Sequence, residues 1–171
     1  YQIADPNFNW NGYSMNLAPA LGTQSDLLVI NGGRLISFDL AKRKIRWTVQ
    51  DGFTGQPSLT NGVVYAINNG ALSVRREDTG ASIWSWAPAG DTLGGPVIVT
   101  DSHVFVSGAA TTYAVDLASR TAVWSYPQAG ALALSEGTLY IAGGNGLLTA
   151  VAVGDQTVGG ANLRLSLKSE W

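Results

Sequence analysis

Cysteine is absent from the 171 residues, and charged side chains make up only 13% of them. Without cysteine, disulfide frameworks, thiolate metal sites and cysteine nucleophiles are excluded, and the redox compartment stays open. The formal net charge is −2, so composition provides no large basic footprint for nucleic acid or for an acidic membrane surface. No apolar run reaches the ~18 residues of a membrane-spanning helix. We find no signal-peptide pattern, and the start at Tyr1 suggests a processed product or a fragment.

Histidine occurs once, which leaves little room for catalysis or metal binding. A Ser-His-Asp triad would have to use His103, which we expect to be a half-buried strand residue. Zinc needs more nitrogen or sulfur ligands, and no D-x-D-x-D-G calcium loop is present. The adjacent acids Glu77 and Asp78 are expected to lie in a solvated turn, as is the basic cluster at 42–46. Gly143–Gly146 precedes a predicted strand and indicates a hairpin rather than a phosphate loop.

Glycine is abundant, with 21 residues, and 46% of the chain is hydrophobic. Together with many β-branched residues, this favours an all-β protein with tight turns. Fixed-period self-similarity supports a repeat, because Trp10, Trp47, Trp84 and Trp124 are spaced by 37, 37 and 40 residues. Proline, a first turn, an apolar strand, a glycine turn and the tryptophan return in the same order in each copy.

Four short strands per unit, separated by hairpin turns, predict a β-propeller of about four four-stranded antiparallel blades, either partial or assembled with further blades. The alternative from the same spacing is a β-sandwich. The predicted blades span about 18–54, 55–94, 95–129 and 130–171. Residues 1–17, with Phe8-Asn9-Trp10, would be the end of a preceding blade or a closing strand.

Structural roles follow for the repeated residues. Neighbouring blades share a core, and a tryptophan on the outer strand can cover the gap between them. We expect Trp47, Trp84 and Trp124 to pack between blades. Asp39 and Asp116, eight residues before two of these tryptophans, are expected to accept backbone N–H bonds in the turn after the third strand.

The motifs resemble a known family. The segment from Ala114 through Asp116 to Trp124 is similar to the tryptophan-docking repeat of pyrroloquinoline-quinone-type propellers, approximately A-x-D-x-x-T-G-x-x-x-W. Asp39 to Trp47 follows the pattern, and Asp78-Thr79-Gly80 through Trp84 supplies its Thr-Gly half. The resemblance covers residues 18–167. It implies either a quinone-dependent alcohol or glucose dehydrogenase or a binding propeller without cofactor, such as the outer-membrane-assembly lipoprotein of Gram-negative bacteria.

The chain departs from the enzymes of this family. It lacks their adjacent cysteine pair, has four repeats where they have eight, and shows no Glu, Asn and Asp cluster that could be assigned to the calcium beside the quinone. The motif glycine is replaced by Arg43 in one copy and by Arg120 in another. The resemblance therefore favours the binding branch, with no cofactor, no metal and no catalytic residues.

The expected function is a non-catalytic scaffold for protein–protein interaction in a larger periplasmic or cell-surface assembly. Its partner would be a protein or the remaining blades of a larger propeller, because an open arc would expose apolar faces. The alternatives are a fragment of a quinone-dependent dehydrogenase and a carbohydrate-binding or carbohydrate-active propeller. In the latter, Trp86 and Tyr126 would stack on a glycan, although Trp86 could equally be core. Candidate partner-binding residues in the inter-blade loops and beside them are Phe53, Gln56, Trp86, Asp91, Tyr126 and Gln128.

Overall fold

The computed structural model describes residues 18–144 and 146–153, together with the backbone of Leu165–Leu167. All regular structure in these residues is β-strand, and it forms four separate four-stranded sheets. The first sheet contains β1 (Ala20–Leu21), β2 (Asp26–Asn31), β3 (Arg34–Asp39) and β4 (Lys44–Gln50). The second contains β5 (Phe53–Thr60), β6 (Val63–Asn68), β7 (Ala71–Arg76) and β8 (Ser82–Trp86). The third contains β9 (Gly94–Val99), β10 (His103–Ser107), β11 (Thr112–Asp116) and β12 (Ala122–Tyr126). The fourth contains β13 (Ala131–Ser135), β14 (Thr138–Ala142), β15 (Leu148–Val153) and β16 (Leu165–Leu167).

Each sheet is an antiparallel meander in which strands pair in chain order. The glycine turns predict this, because Asn-Gly and Gly-Gly pairs supply the positive φ angles of tight hairpins. Four meanders in place of two facing sheets confirm the prediction of propeller blades over a sandwich. The second sheet begins at Phe53, slightly earlier than the expected blade boundary. The predicted closing strand within 1–17 lies outside the described residues.

A β-bulge follows the tryptophan pairing in each of the first three sheets. Trp47 pairs with Ser37, Trp84 with Val74 and Trp124 with Ala114, and the register shifts at the next pair. The residue just before each tryptophan is therefore the extra one in its strand. In the second and third sheets this residue is apolar and exposed, at Ile83 and Val123.

The hydrophobic core is divided into three clusters, one at each seam between consecutive sheets. Every extensive contact between sheets in the described residues joins consecutive ones. This is the arrangement expected when a blade is too thin to bury both of its faces alone. The fully buried members of the three seams are, in chain order, Leu28, Leu35, Val64 and Ala66; Ile67, Leu72, Val74, Val104, Val106 and Val115; and Ala114, Leu139 and Ile141.

Trp47, Trp84 and Trp124 lie in these seams. Trp47 packs on the first cluster, and its indole Nε1 donates a 2.8 Å hydrogen bond to the carbonyl oxygen of Glu77 in the next sheet. Its ring lies against Gly80, since a Cβ on that glycine would stand 2.7 Å from Cε3 of the indole. Trp84 packs on the second cluster, with the guanidinium of Arg120 5.9 Å from its ring centre. Each of these two rings therefore contacts the turn before the outer strand of the following blade.

The first sheet has an apolar outer side. Leu21 is 73% exposed and Leu40 is 43% exposed. The equivalent of Leu40 in the third sheet, Leu117, packs on the second seam cluster. The described sheets thus form an open arc of four blades. At the free side of the first sheet, leucines are exposed at positions whose counterparts in later sheets are packed in a seam.

Candidate partner-binding face

Because the strands alternate in direction, the connections of every blade fall on two opposite faces. The linkers between blades, at 51–52, 87–93 and 127–130, lie at the same end as the hairpins between the second and third strands. We call this end the linker face. The turns that join the first to the second strand and the third to the fourth lie at the opposite end, which we call the turn face.

Asp51 connects two blades on the linker face. Its carboxylate accepts hydrogen bonds of 2.7 Å from the side-chain amides of Asn68 and Asn69, in the next blade's hairpin, and one of 2.9 Å from the Gly52 amide. These bonds, with that of Asn68 foremost, lower the pKa of Asp51 below its ordinary value. The carboxylate is therefore ionised at neutral pH and holds the hairpin of the second blade against the first linker.

Asp91 occupies the same place in the second linker. It accepts hydrogen bonds from the Ala109 amide at 2.8 Å, the Thr92 amide at 2.7 Å and the Tyr113 hydroxyl at 3.0 Å. Burial acts to raise the pKa of Asp91, but these hydrogen bonds outweigh it and leave the pKa lowered. The carboxylate predicted to meet a partner is thus committed to the hairpin of the third blade.

Gln128 plays the corresponding role in the third linker, and it is buried. Its Nε2 donates to the carbonyl oxygens of Ile141 at 3.0 Å and Leu147 at 3.1 Å, while its Oε1 accepts from the Thr149 hydroxyl at 2.6 Å. Each linker therefore carries one polar side chain that ties it to the next blade. We call Asp51, Asp91 and Gln128 the linker clasps.

Phe53 and Gln56, expected in an inter-blade loop, lie within strand β5 instead. Phe53 is only 2% exposed and belongs to the first seam cluster, with the guanidinium of Arg75 5.3 Å from its ring centre. Gln56 is half-buried, in the stretch where the register with β6 is irregular. The loop expectation was wrong because the strand continues through residues that read as a glycine-rich turn.

Trp86 and Tyr126 are half-buried and pack on the second and third seam clusters. Trp86 makes an edge-on contact with Tyr113 of the next blade, with 5.5 Å between ring centres. Tyr126 stacks on Trp124 at 6.1 Å. A seam role reduces the ring area that either side chain could offer to a sugar.

Around the clasps, the solvent-exposed residues of the linker face are mostly small and uncharged. They include Ala87, Ala89, Ala109, Ala110, Pro127 and Leu147. Leu147 is 53% exposed, and its carbonyl is held by Gln128. The bond from Ala109 to Asp91 likewise fixes the hairpin of the third blade beside the second linker. The clasps thus hold a low-charge, apolar surface in place, and sequence reasoning missed it because alanines in loops carry no signal of their own.

On the turn face, Asp39 and Asp116 each stabilise the turn between the third and fourth strands of their blade. Asp39 accepts from the Lys42 amide at 2.8 Å, and Asp116 accepts from the Ser119 amide at 2.6 Å. These amide bonds are the main reason that the pKa of each carboxyl is lowered. Asp39 also pairs with Arg46, at 3.4 Å.

The expectation of a solvated acidic pair at Glu77 and Asp78 was wrong for Glu77, which is fully buried. Its carboxylate accepts hydrogen bonds from the amide and hydroxyl of Thr23 and from the amide of Gln24, in the preceding blade. These partners lie more than fifty residues away in sequence, so the local pattern could not reveal them. Glu77 joins the first two blades on the turn face as Asp51 does on the linker face.

His103 is buried at the start of β10. Its Nδ1 lies 2.8 Å from the hydroxyl oxygen of the adjacent Ser102. Burial lowers the pKa of His103, and the nearby Asp116 opposes this only in part. Although Ser, His and Asp are all present, the hydrogen bond of Asp116 described above goes to the turn amide of Ser119. We therefore assign the group a structural role.

Within the described part of the chain, no cluster of three or more His, Cys, Asp or Glu side chains could hold a metal ion. The described residues also contain no helix of the length and apolarity needed to cross a bilayer.

Comparison with solved structures shows the fold. BamB from Moraxella catarrhalis superposes with a TM-score of 0.66 and 21% identity, covering 79% of this chain and 45% of that one. The β-propeller domain of Cps50 (Swd1) from Myceliophteria thermophila gives 0.71 and 14%, covering 87% and 55%. The quinohemoprotein alcohol dehydrogenase ADHIIG from Pseudomonas putida HK5 gives 0.60 and 17%, covering 75% and 31%. The chain thus spans about half the length of the BamB structure or less.

No curated protein matches the sequence significantly. The family model described as outer membrane protein assembly factor BamB matches residues 31–155, which is more than half of the chain. This agrees with the propeller repeat that the tryptophan and glycine landmarks predict. The protein therefore belongs to the PQQ-type β-propeller family represented by BamB.

Proposed function

We propose that this protein is a non-catalytic scaffold that binds a protein partner through the linker face, in a periplasmic or extracellular assembly. The observation that carries the proposal is the exposed, low-charge surface of Ala89, Ala109, Ala110 and Leu147. Apolar surface that is held in place and left in solvent is characteristic of protein-contact sites. The family description, an outer-membrane assembly factor, supports both the class of partner and the compartment.

The clasps support this proposal through rigidity. A loop that is already ordered loses less conformational entropy on binding than a mobile one does. Asp91 and Gln128 fix the second and third linkers to the hairpins that carry the exposed apolar residues. Asp91 and Gln128 therefore position the binding surface, and the neighbouring alanines and leucine would contact the partner.

Site-specific photo-crosslinking in the periplasm of a Gram-negative cell tests the proposal. A photoreactive phenylalanine analogue would replace Ala89 or Ala110 on the linker face. The matched control is Ala118, which is also exposed but lies on the turn face of the same blade as Ala110. We expect one common protein adduct from Ala89 and Ala110, lost when Leu147→Asp is added, and none from Ala118. Adducts of equal yield from all three positions would contradict the proposal.

A second candidate function, a quinone-dependent dehydrogenase fragment, is favoured by the structural likeness to the quinohemoprotein alcohol dehydrogenase. It predicts a saturable rise in melting temperature when pyrroloquinoline quinone and calcium are added together, because a ligand that binds only the folded state stabilises it. The scaffold proposal predicts no such rise. Dehydrogenase activity with an artificial electron acceptor would support the enzyme function over the scaffold.

A further inference from the structure

Two hairpin turns of the second blade have the same sequence and the same backbone. Asn61-Gly62 joins β5 to β6 on the turn face, and Asn69-Gly70 joins β6 to β7 on the linker face. The asparagine and the glycine have φ of 50° and 73° in the first turn and of 48° and 75° in the second. Both are therefore two-residue turns of type I′, and both asparagines are exposed to solvent.

An asparagine that precedes a glycine can lose its side-chain amide without an enzyme, and asparagine is accordingly among the thermolabile residues. The backbone nitrogen of the glycine attacks Cγ of the asparagine and forms a C–N bond. Ammonia leaves with the side-chain nitrogen and the proton of the glycine N–H. Water then opens the resulting succinimide ring at either carbonyl, which gives aspartate or isoaspartate. Glycine favours the attack because it has no Cβ to obstruct the approach of its nitrogen.

The two turns differ in what holds the asparagine. Nδ2 of Asn69 donates a 2.7 Å hydrogen bond to Oδ1 of Asp51, and the backbone N–H of Asn69 donates to the carbonyl oxygen of Gly52 at 2.9 Å. The lowered pKa of Asp51 keeps this acceptor negatively charged at neutral pH. By contrast, the side chain of Asn61 forms no hydrogen bond with any residue in the described part of the chain.

The hydrogen bond to Asp51 opposes the reaction at Asn69 in two ways. It restricts rotation of the side chain, which must turn Cγ toward the Gly70 nitrogen before the ring can close. It also places a negative charge beside the amide, which makes Cγ less electrophilic. We propose that Asn61 is a site of spontaneous deamidation and that Asp51 protects Asn69 from the same reaction.

Protection of Asn69 preserves the first linker clasp. Deamidation would replace the amide that donates to Asp51 by a carboxylate, so two negative charges would face each other at hydrogen-bond distance. Such charges repel each other, and the hairpin of the second blade would be released from the first linker. Deamidation of Asn61, on the opposite face, leaves the clasp intact.

Mass spectrometry of the folded chain tests both parts of the proposal. After incubation at mildly alkaline pH, a brief chymotrypsin digestion that cleaves after Tyr65 places the two asparagines in separate peptides. Since a hydrogen bond to a charged group corresponds to roughly a tenfold change in rate or more, we expect Asn61 to deamidate about ten times faster than Asn69. Asp51→Ala should accelerate deamidation of Asn69 by a similar factor and leave the rate at Asn61 unchanged. In the wild-type chain unfolded in urea, the two rates should converge.

The matched control is Asp91→Ala, which removes the corresponding clasp of the second linker and whose hydrogen bonds go to the third blade and its own linker. Both deamidation rates should keep their wild-type values in this variant. Equal rates at Asn61 and Asn69 in the folded wild type, or an unchanged rate at Asn69 in Asp51→Ala, would overturn the proposal.

A second measurement covers the case in which Asp51→Ala does not fold, which equal acceleration at both sites would reveal. Asn69→Asp and Asn61→Asp each imitate a deamidation product. Asn69→Asp should lower the melting temperature by a few degrees, because its carboxylate faces that of Asp51, and Asn61→Asp should change it much less. Equal melting temperatures for the two variants would contradict the role of the Asn69 amide in the clasp.

Discussion

Replacing Gly80 by alanine tests the seam contact in isolation from other effects. The backbone of Gly80 has φ +72°, and a Cβ there would stand 2.7 Å from Cε3 and 2.9 Å from Cδ2 of Trp47. Gly90 is the matched control, since its φ is +75° and an added Cβ would meet nothing within 4 Å. Both substitutions carry the cost of a left-handed alanine, about 1–2 kcal/mol. Only Gly80→Ala also forces the indole away from the next blade.

The expected difference follows from the cost of overpacking, which is about 1–3 kcal/mol. Gly80→Ala should therefore lower the free energy of unfolding by roughly that much more than Gly90→Ala. Urea denaturation followed by circular dichroism measures both values. In a Trp47→Leu background the opposing ring is gone, so the two substitutions should then cost the same. Equal costs in the wild-type background would refute the claim that the Trp47 ring fills the seam.

Three further predictions concern buried or hydrogen-bonded ionisable groups. Asp91→Asn should lower the free energy of unfolding by about 1 kcal/mol at neutral pH, because it weakens the hydrogen bonds of the carboxylate. Since the folded-state pKa of Asp91 is lowered, this difference from wild type should shrink as the pH falls below about 4. A difference that grows in acid would contradict this prediction. Burial lowers the folded-state pKa of His103, so the unfolded chain binds a proton at this side chain more readily than the folded protein does. Wild type should therefore lose stability as the pH falls from about 7 to 5. His103→Val should reduce this pH dependence of the melting temperature, and an unchanged pH dependence would contradict the prediction. Asp26 is fully buried, its Oδ1 lacks a hydrogen-bond partner, and this oxygen and Glu77 Oε1 both lie within 2.5 Å of the point where a Cβ on Gly22 would stand. Asp26→Asn, which removes one of two close carboxylates, should therefore raise stability by about 1 kcal/mol in urea denaturation, and a loss would show that the carboxylate is needed.

The sequence predicts the blades because their signals are local. Asn-Gly and Gly-Gly turns, apolar strands and a tryptophan at a fixed period all act within a few residues of one another. The four observed meanders follow those landmarks closely. Family membership follows from the same repeat, in agreement with the matched family model.

Side-chain roles that depend on contacts between blades were not readable in the same way. The three linker clasps are Asp, Asp and Gln, so they do not form a sequence motif that recurs in every blade. Their partners are backbone groups and side-chain amides of the next hairpin. Glu77 looks like a solvated turn residue until Thr23 is brought beside it. Phe53 reads as a loop residue because glycines flank it, yet the pairing of β5 with β6 begins there.

Arg43 and Arg120 occupy the motif position where the family has glycine. From the sequence, both arginines are departures from the family motif. The structure shows a role for one of them, because the Arg120 guanidinium lies over the Trp84 ring. Both keep the positive φ of the glycine they replace. At Arg120 the change of residue thus keeps the turn and places a guanidinium over the indole of the preceding blade.

Nuclear Overhauser contacts between the indole rings and the following blade measure the seams directly. The Trp47 ring protons should give cross-peaks to the Hα protons of Gly80, and the Trp84 ring protons should give cross-peaks to the side chain of Arg120. Cross-peaks of each ring only to its own sheet would contradict the packing of one blade on the next.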